Sequence, residues 1–205
     1  MTTFVHEGDL PADALANASS VAIDSETMGL RLGRDPLCVV QLSDGGGDAH
    51  VVQLDRTTYD APNLKRLLAD PAVTKIFHYG RFDIAMFWLH LGVVTAPVYC
   101  TKIASKLART YTDRHGLKDV SRELLSIEMS KAQQSSDWGA ETLSPAQLEY
   151  AASDVLYLHA VKARLDEMLA REGRTELARQ CFDFLPSRSA LDLAGWDEMD
   201  IFAHS

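Results

Sequence analysis

LCVVQLSDGGGDAHVVQL, residues 37–54, decides the fold class. Two apolar, β-branched runs, 37–42 and 49–54, flank the polar stretch Ser43-Asp44-Gly45-Gly46-Gly47-Asp48. Its glycines accept the positive φ that a turn between antiparallel strands demands, so the pair predicts a hairpin. Upstream, 20–23 is a third such run, and the chain opens as an antiparallel meander. Downstream the pattern alternates: a helix over 62–69, a short strand over 74–77, a dense apolar helix over 82–91 stopped by Gly92, and a fifth strand over 98–101. The remainder reads as helical. A meander followed by two strands joined through helices predicts an α/β domain, a mixed five-stranded sheet flanked by helices on both faces. The clearest helix start is Ser144-Pro145-Ala146-Gln147: Ser144 fits the N-cap, Pro145 the first helical position, and Gln147 completes a capping box. That helix is expected to run through Tyr150, Asp154 and Leu158 to about Ala170.

The 205 residues, 46% apolar and 24% charged, suit one folded domain over 1–205, with no internal repeat or linker. No apolar run approaches the ~18 residues of a membrane span, and MTTFVHEGDL has neither a basic nor an apolar leader region. A cytoplasmic location is expected. Cys38, Cys100 and Cys181 are odd in number and lack CxxC spacing, and they read as reduced core thiols. Twenty Lys and Arg against 29 Asp and Glu leave a net charge of −9, which disfavours a broad basic groove for long nucleic acid. Carboxylates gathered in one pocket would recruit divalent cations and reverse the local sign, so a metal-bridged phosphate substrate stays open.

Three places supply such carboxylates. Asp24 and Glu26 are i and i+2 at the end of the first strand and so share a face; a solvated strand end is the alternative. Asp83 follows the strand KIFH at the start of an apolar helix, where an acid also complements the helix dipole. Tyr150 and Asp154, i and i+4, stack on one helix face among apolar neighbours, and a buried acid there needs a lysine partner or a metal. Together the four acids allow a two-metal site, with hard oxygen ligands suited to Mg²⁺ or Mn²⁺, acting on a phosphodiester.

AIDSET (22–27), FHYGRFD (77–83) and SSDWGAETLSPAQLEYAASDVLYLHAV (135–161) resemble, in order and spacing, the three motifs of the ribonuclease D branch of the DEDD 3′-to-5′ exonucleases. Tyr150-x-x-x-Asp154 matches the tyrosine-bearing subgroup, since Glu149 holds the position at which the other subgroup carries histidine. From HEGDLP (6–11) through 102–120 to GWDEMDIFAHS (195–205), the chain is similar to the nano-RNase C family of alphaproteobacteria. One departure is Glu141-Thr142-Leu143, where the wider family has Arg-Pro-Leu, so the phosphate contact of that arginine is not carried over.

The resemblance implies a ribonuclease H-like fold, a homo-octameric ring, and short single-stranded RNA, dinucleotides above all, as substrate, with DNA as a further one. It implies that Asp24, Glu26 and Asp154 hold one metal, that Asp24 bridges to a second supported by Asp83, and that Tyr150 orients the attacking water. Thr27 and Leu30 would meet the terminal bases, Leu30 as an apolar wedge or as ordinary core. His78, Tyr79, Lys102, Gln134 and Trp138 are further substrate-binding candidates, with structural roles as the alternative for His78 and Trp138. Lys131 and Gln133 extend that set. Lys102, Lys106 and Arg109 share one helix face, with Arg114, His115 and Lys118 soon after, either as a solvated face or as a seat for phosphates. The tail, about 181–205, carries Phe182, Phe184 and Leu185 and is too short for a core of its own, so it is expected to dock on the body or on a neighbouring protomer in the oligomer. The expected activity is 3′-to-5′ exoribonuclease action yielding nucleoside 5′-monophosphates. The alternatives are a 3′-to-5′ DNA exonuclease on longer strands and a catalytically inactive interaction module, which would have lost at least one acid.

Overall fold

All seven residues of Leu37–Ser43 are buried, so this strand lies inside a sheet covered on both faces. The computed structural model describes residues 2–130 and 132–204. Its strands are β1 (Thr3–Glu7), β2 (Ser20–Thr27), β3 (Leu37–Ser43), β4 (Ala49–Gln53), β5 (Thr74–Phe77) and β6 (Val98–Cys100). They pair in the order β1-β4-β3-β2-β5-β6. β3 runs antiparallel to both neighbours and every other pair is parallel. The sheet is mixed, as expected, but has six strands rather than five. The additional one, β1, is an edge strand with mostly exposed side chains. TFVHE has no buried face to impose an alternating pattern, and its place comes from backbone pairing with β4.

The helices are α1 (Pro62–Ala69), α2 (Arg81–Met86), α3 (Thr101–Ala108), α4 (Leu117–Leu125), α5 (Pro145–Leu156), α6 (Leu158–Arg171) and α7 (Thr175–Leu191). α5 covers β2, β3 and β4, closing a cluster of Cys38, Val39, Val51, Trp138, Leu143 and Ala151. α6 and α7 pack on β5 and β6 around the larger core. The capping box at Ser144 forms with both reciprocal bonds. The helix it starts ends at Leu156, where Tyr157 (φ −102°, ψ −7°) separates it from α6, so the single helix expected to reach Ala170 is two. α2 likewise opens after Met86 into a wider turn, Phe87–Leu91, which Gly92 ends at φ 68°. The hairpin and α1 stand where the sequence places them.

Two local expectations are corrected by burial. β2 runs to Thr27, four residues past the expected Ile23, so Asp24 and Glu26 lie within the strand, just before an irregularity at Glu26/Thr27. Arg109 is not part of a solvated basic face: it is fully buried, donates to Ser105 Oγ and the Arg114 carbonyl, and pairs with Glu123. Cys38 and Cys100 are free and buried, and Cys181 is free and half-buried. No helix among the described residues is long and apolar enough to cross a membrane.

Candidate active site

β2 delivers Asp24 and Glu26 to one face, α2 delivers Asp83 from its first turn, and α5 delivers Tyr150 and Asp154 one turn apart. One carboxylate oxygen from each of Asp24, Glu26 and Asp154 lies within 4.8 Å of the others. Asp83 stands beside them, buried, and accepts a hydrogen bond from Ser25 Oγ at 2.5 Å. Gln41 Nε2 donates to Asp24 Oδ2 at 2.8 Å from the neighbouring strand. The two carboxylates of β2 and those of α2 and α5 thus converge although they are up to 130 residues apart in sequence.

Burial raises the pKa of all four acids, and for Asp24 and Glu26 their mutual repulsion raises it further. Burial, then the charges of Asp83, Asp154 and Glu26, hold Asp24 well above the usual carboxylate range. Burial, then Asp154 and Asp83, push Glu26 up to about 9. Burial lifts Asp83 to about 6 against the Ser25 hydrogen bond, and Asp154 to about 7 against the opposing influence of the Tyr150 hydroxyl. Tyr150 is raised above its ordinary value by burial and by the same acids, so its hydroxyl keeps its proton. Among the described residues none of the four acids has a lysine or arginine partner, so like charges stand together in a partly desolvated place. Such a cluster is stable as carboxylates only with added positive charge, and clustered carboxylate oxygens are the donor set of hard divalent cations. The residues fit that group.

These side chains open into a cavity of about 1510 Å³ that also receives Thr27, Leu30, His78, Tyr79, Lys102, Gln134 and Trp138. Leu30 is 83% exposed on its lip, outside the core. The Thr27 hydroxyl is committed to the Gly29 carbonyl in the turn that carries Leu30. Tyr79 adopts a left-handed φ of 74°, which turns its ring outward beneath Lys102 Nζ, 4.3 Å from the ring centroid. His78 Nδ1 faces Thr101 Oγ1 at 2.9 Å, and that hydroxyl donates to the Phe77 carbonyl. The other ring nitrogen, Nε2, is buried with no hydrogen-bond partner among the described residues. Burial, with Lys102 nearby, holds this imidazole neutral, down to about 3. Trp138 is only 2% exposed; its ring packs 6.0 Å from that of Tyr150 and props the tyrosine, leaving little surface for stacking. Lys106 lies outside this cavity, and Lys131 falls outside the described residues.

Sequence reasoning missed Ser25, Gln41, Arg81 and Asp192. Arg81 gives Asp192 two hydrogen bonds, Nε to Oδ2 at 2.5 Å and Nη2 to Oδ1 at 2.7 Å, and Arg188 adds a third at 2.7 Å. The segment beyond α7 is thereby fixed as a wall of the cavity, with Leu193, Asp197 and Glu198 lining it. A signal existed for Gln41, the single amide in an apolar strand. For Asp192 there was none, because its partner is 111 residues away.

The 3′-5′ exonuclease family model matches residues 11–170 of this chain. A solved structure of Brucella melitensis NrnC with bound Mg²⁺ is 57% identical over 100% of both chains, with a TM-score of 0.96. That of Brucella melitensis NrnC bound to pGG is 59% identical over 100% of both chains, with a TM-score of 0.97. Ribonuclease D of Acidiphilium cryptum is 40% identical over 80% of this chain and 41% of its own length. This chain thus spans about two fifths of the length of the curated relatives it matches. The ribonuclease H-like architecture expected from the motifs is common to them. The chain belongs to the 3′-5′ exonuclease family, alongside NrnC and similar to ribonuclease D over part of that protein's length.

Proposed function

We propose that residues 1–205 form one catalytic domain that hydrolyses very short single-stranded RNA, dinucleotides above all, from the 3′ end to nucleoside 5′-monophosphates. The observation that carries this reading is the convergence of Asp24, Glu26 and Asp154 within 4.8 Å, with Tyr150 one helical turn from Asp154. The relatives solved with Mg²⁺ and with pGG support the ion and the substrate length.

Asp24, Glu26 and Asp154 would hold one divalent ion, and Asp24 with Asp83 a second, Mg²⁺ or Mn²⁺. Bound there, such ions supply positive charge to the scissile phosphate and acidify water. Tyr150, protonated and braced by Trp138, orients the water that attacks phosphorus. The new water-oxygen-to-phosphorus bond forms as the bond from phosphorus to the 3′ oxygen of the preceding nucleotide breaks. That oxygen leaves as a hydroxyl after taking a proton, and the terminal nucleotide departs with a 5′-phosphate. Leu30 on the lip wedges between the last two bases, while Thr27, His78, Tyr79, Lys102 and Gln134 hold the strand. The tail, about 181–205, forms the cavity wall and takes part in contacts of a homo-oligomer, an octamer, in the cytoplasm.

The test is a time course with Mg²⁺ on 5′-labelled RNA and DNA of two to twenty nucleotides. Dinucleotide RNA should be consumed fastest, with single-nucleotide products from the 3′ end. Faster trimming of long DNA would favour a DNA exonuclease, and no hydrolysis of any strand would reduce the chain to a binding module.

A further inference from the structure

Gln41 stands directly opposite Asp24 in the antiparallel register of β2 and β3, and it is fully buried. Its neighbours along β3 are Leu37, Cys38, Val39, Val40 and Leu42, a run in which a leucine or methionine would fill the same volume. A buried amide needs partners for both its ends. Here only one end has one: Nε2 donates to Asp24 Oδ2 at 2.8 Å, while Oε1 has no partner among the described residues. An unpartnered buried carbonyl costs stability. Packing therefore does not account for this side chain; its donor does. The Nε2 donor fixes the rotation of the Asp24 carboxylate, which the neighbouring acids repel and which, without such a donor, would turn away.

We infer that Gln41 is a positioning residue for the cation-binding acids: it holds the Asp24 carboxylate in the orientation that a divalent ion requires, at the expense of an unpaired oxygen in the core. This rests on the reading of the acids as a divalent-cation site. Residues that orient metal ligands typically account for 10- to 100-fold in metal affinity. A residue kept only for the fold would move stability and leave metal affinity alone.

The test is Gln41→Met, with Gln41→Leu as a second shape, in the full chain. Mg²⁺ binding is measured by isothermal titration calorimetry, Tm by scanning calorimetry in EDTA, and KM for a dinucleotide at saturating Mg²⁺. The Mg²⁺ dissociation constant should rise at least 10-fold, Tm in EDTA should hold or rise, and KM should stay within twofold of wild type. Mg²⁺ affinity within twofold of wild type overturns the inference, as does a lower Tm with unchanged affinity. Failure of both variants to fold also overturns it, because the amide would then be structural. Wild-type protein that binds no Mg²⁺ overturns the reading of the acids themselves, and that failure is distinct from equal affinities in wild type and variant.

Discussion

Four acids with no counter-charge among the described residues make the metal-free protein sensitive to pH in a direction opposite to that of most carboxylates. Asp24, Glu26, Asp83 and Asp154 have folded-state values raised above their unfolded values near 4. The native state therefore binds more protons than the unfolded chain between pH 4 and the raised values, about 6 for Asp83, about 7 for Asp154 and about 9 for Glu26. Stability is fully present below pH 4 as far as these groups are concerned, and it falls as pH rises through that window. Each extra proton held by the native state contributes about 1.4 kcal/mol per pH unit to this slope. For a chain of this size that corresponds to roughly 3–6 °C in Tm per pH unit. Asp24→Asn removes one titrating site whose carboxyl is raised and lowers the repulsion on the other three, so its slope should be shallower. Scanning calorimetry in EDTA at pH 6, 7 and 8, with and without Mg²⁺, measures it. Wild-type Tm should fall from pH 6 to 8 and be restored by Mg²⁺, whereas Asp24→Asn should start higher at pH 8 and respond weakly to Mg²⁺. A wild-type Tm that is flat or rising over this range in EDTA, or a variant with the same slope as wild type, would refute the reasoning.

Three other perturbations separate the roles of the site residues. Tyr150→Phe should lower kcat by about 10²-fold with KM nearly unchanged and Tm within a few degrees; a structural tyrosine would lose Tm and keep kcat. Leu30→Ala should leave Tm unchanged, because the side chain is 83% exposed, and should raise KM for a dinucleotide several-fold in steady-state assays. Deleting 193–205 removes the cavity wall pinned through Asp192, so the proposed preference for dinucleotides over longer RNA should weaken and the particle mass by light scattering should fall; unchanged mass and preference would assign the tail to local packing.

The elements legible in the sequence are those whose burial pattern is one-sided and local. The hairpin around the glycines at 45–47, α1 at Pro62 and the Ser144 capping box each carry their own signal within a few residues. The acids were legible for a similar reason: Asp24 and Glu26 share a strand face and Tyr150 and Asp154 a helix face, while the order of the three motifs joined them to Asp83. What was not legible depends on contacts far along the chain. β1 is specified by pairing with β4 rather than by its own residues. The break at Tyr157 leaves the apolar pattern unbroken, since Val155 and Leu158 are both buried on either side of it. Arg109 looked like one more surface cation at helical spacing, and only the fold brings Glu123 and the Arg114 carbonyl to it. Leu30 shows the converse, an apolar residue that the sequence could place either in the core or at the mouth of the cavity.

The proposed hydrolysis requires Asp24, Glu26 and Asp154 to act together as a cation site, and the most direct measurement is anomalous diffraction from crystals of this protein soaked in Mn²⁺. The strongest anomalous peak should lie within about 2.0–2.5 Å of carboxylate oxygens from all three residues, and it should vanish in Asp154→Asn crystals treated alike. No peak among these carboxylates at saturating Mn²⁺, or an undiminished peak there in the variant, would contradict the assignment on which the proposed hydrolysis depends.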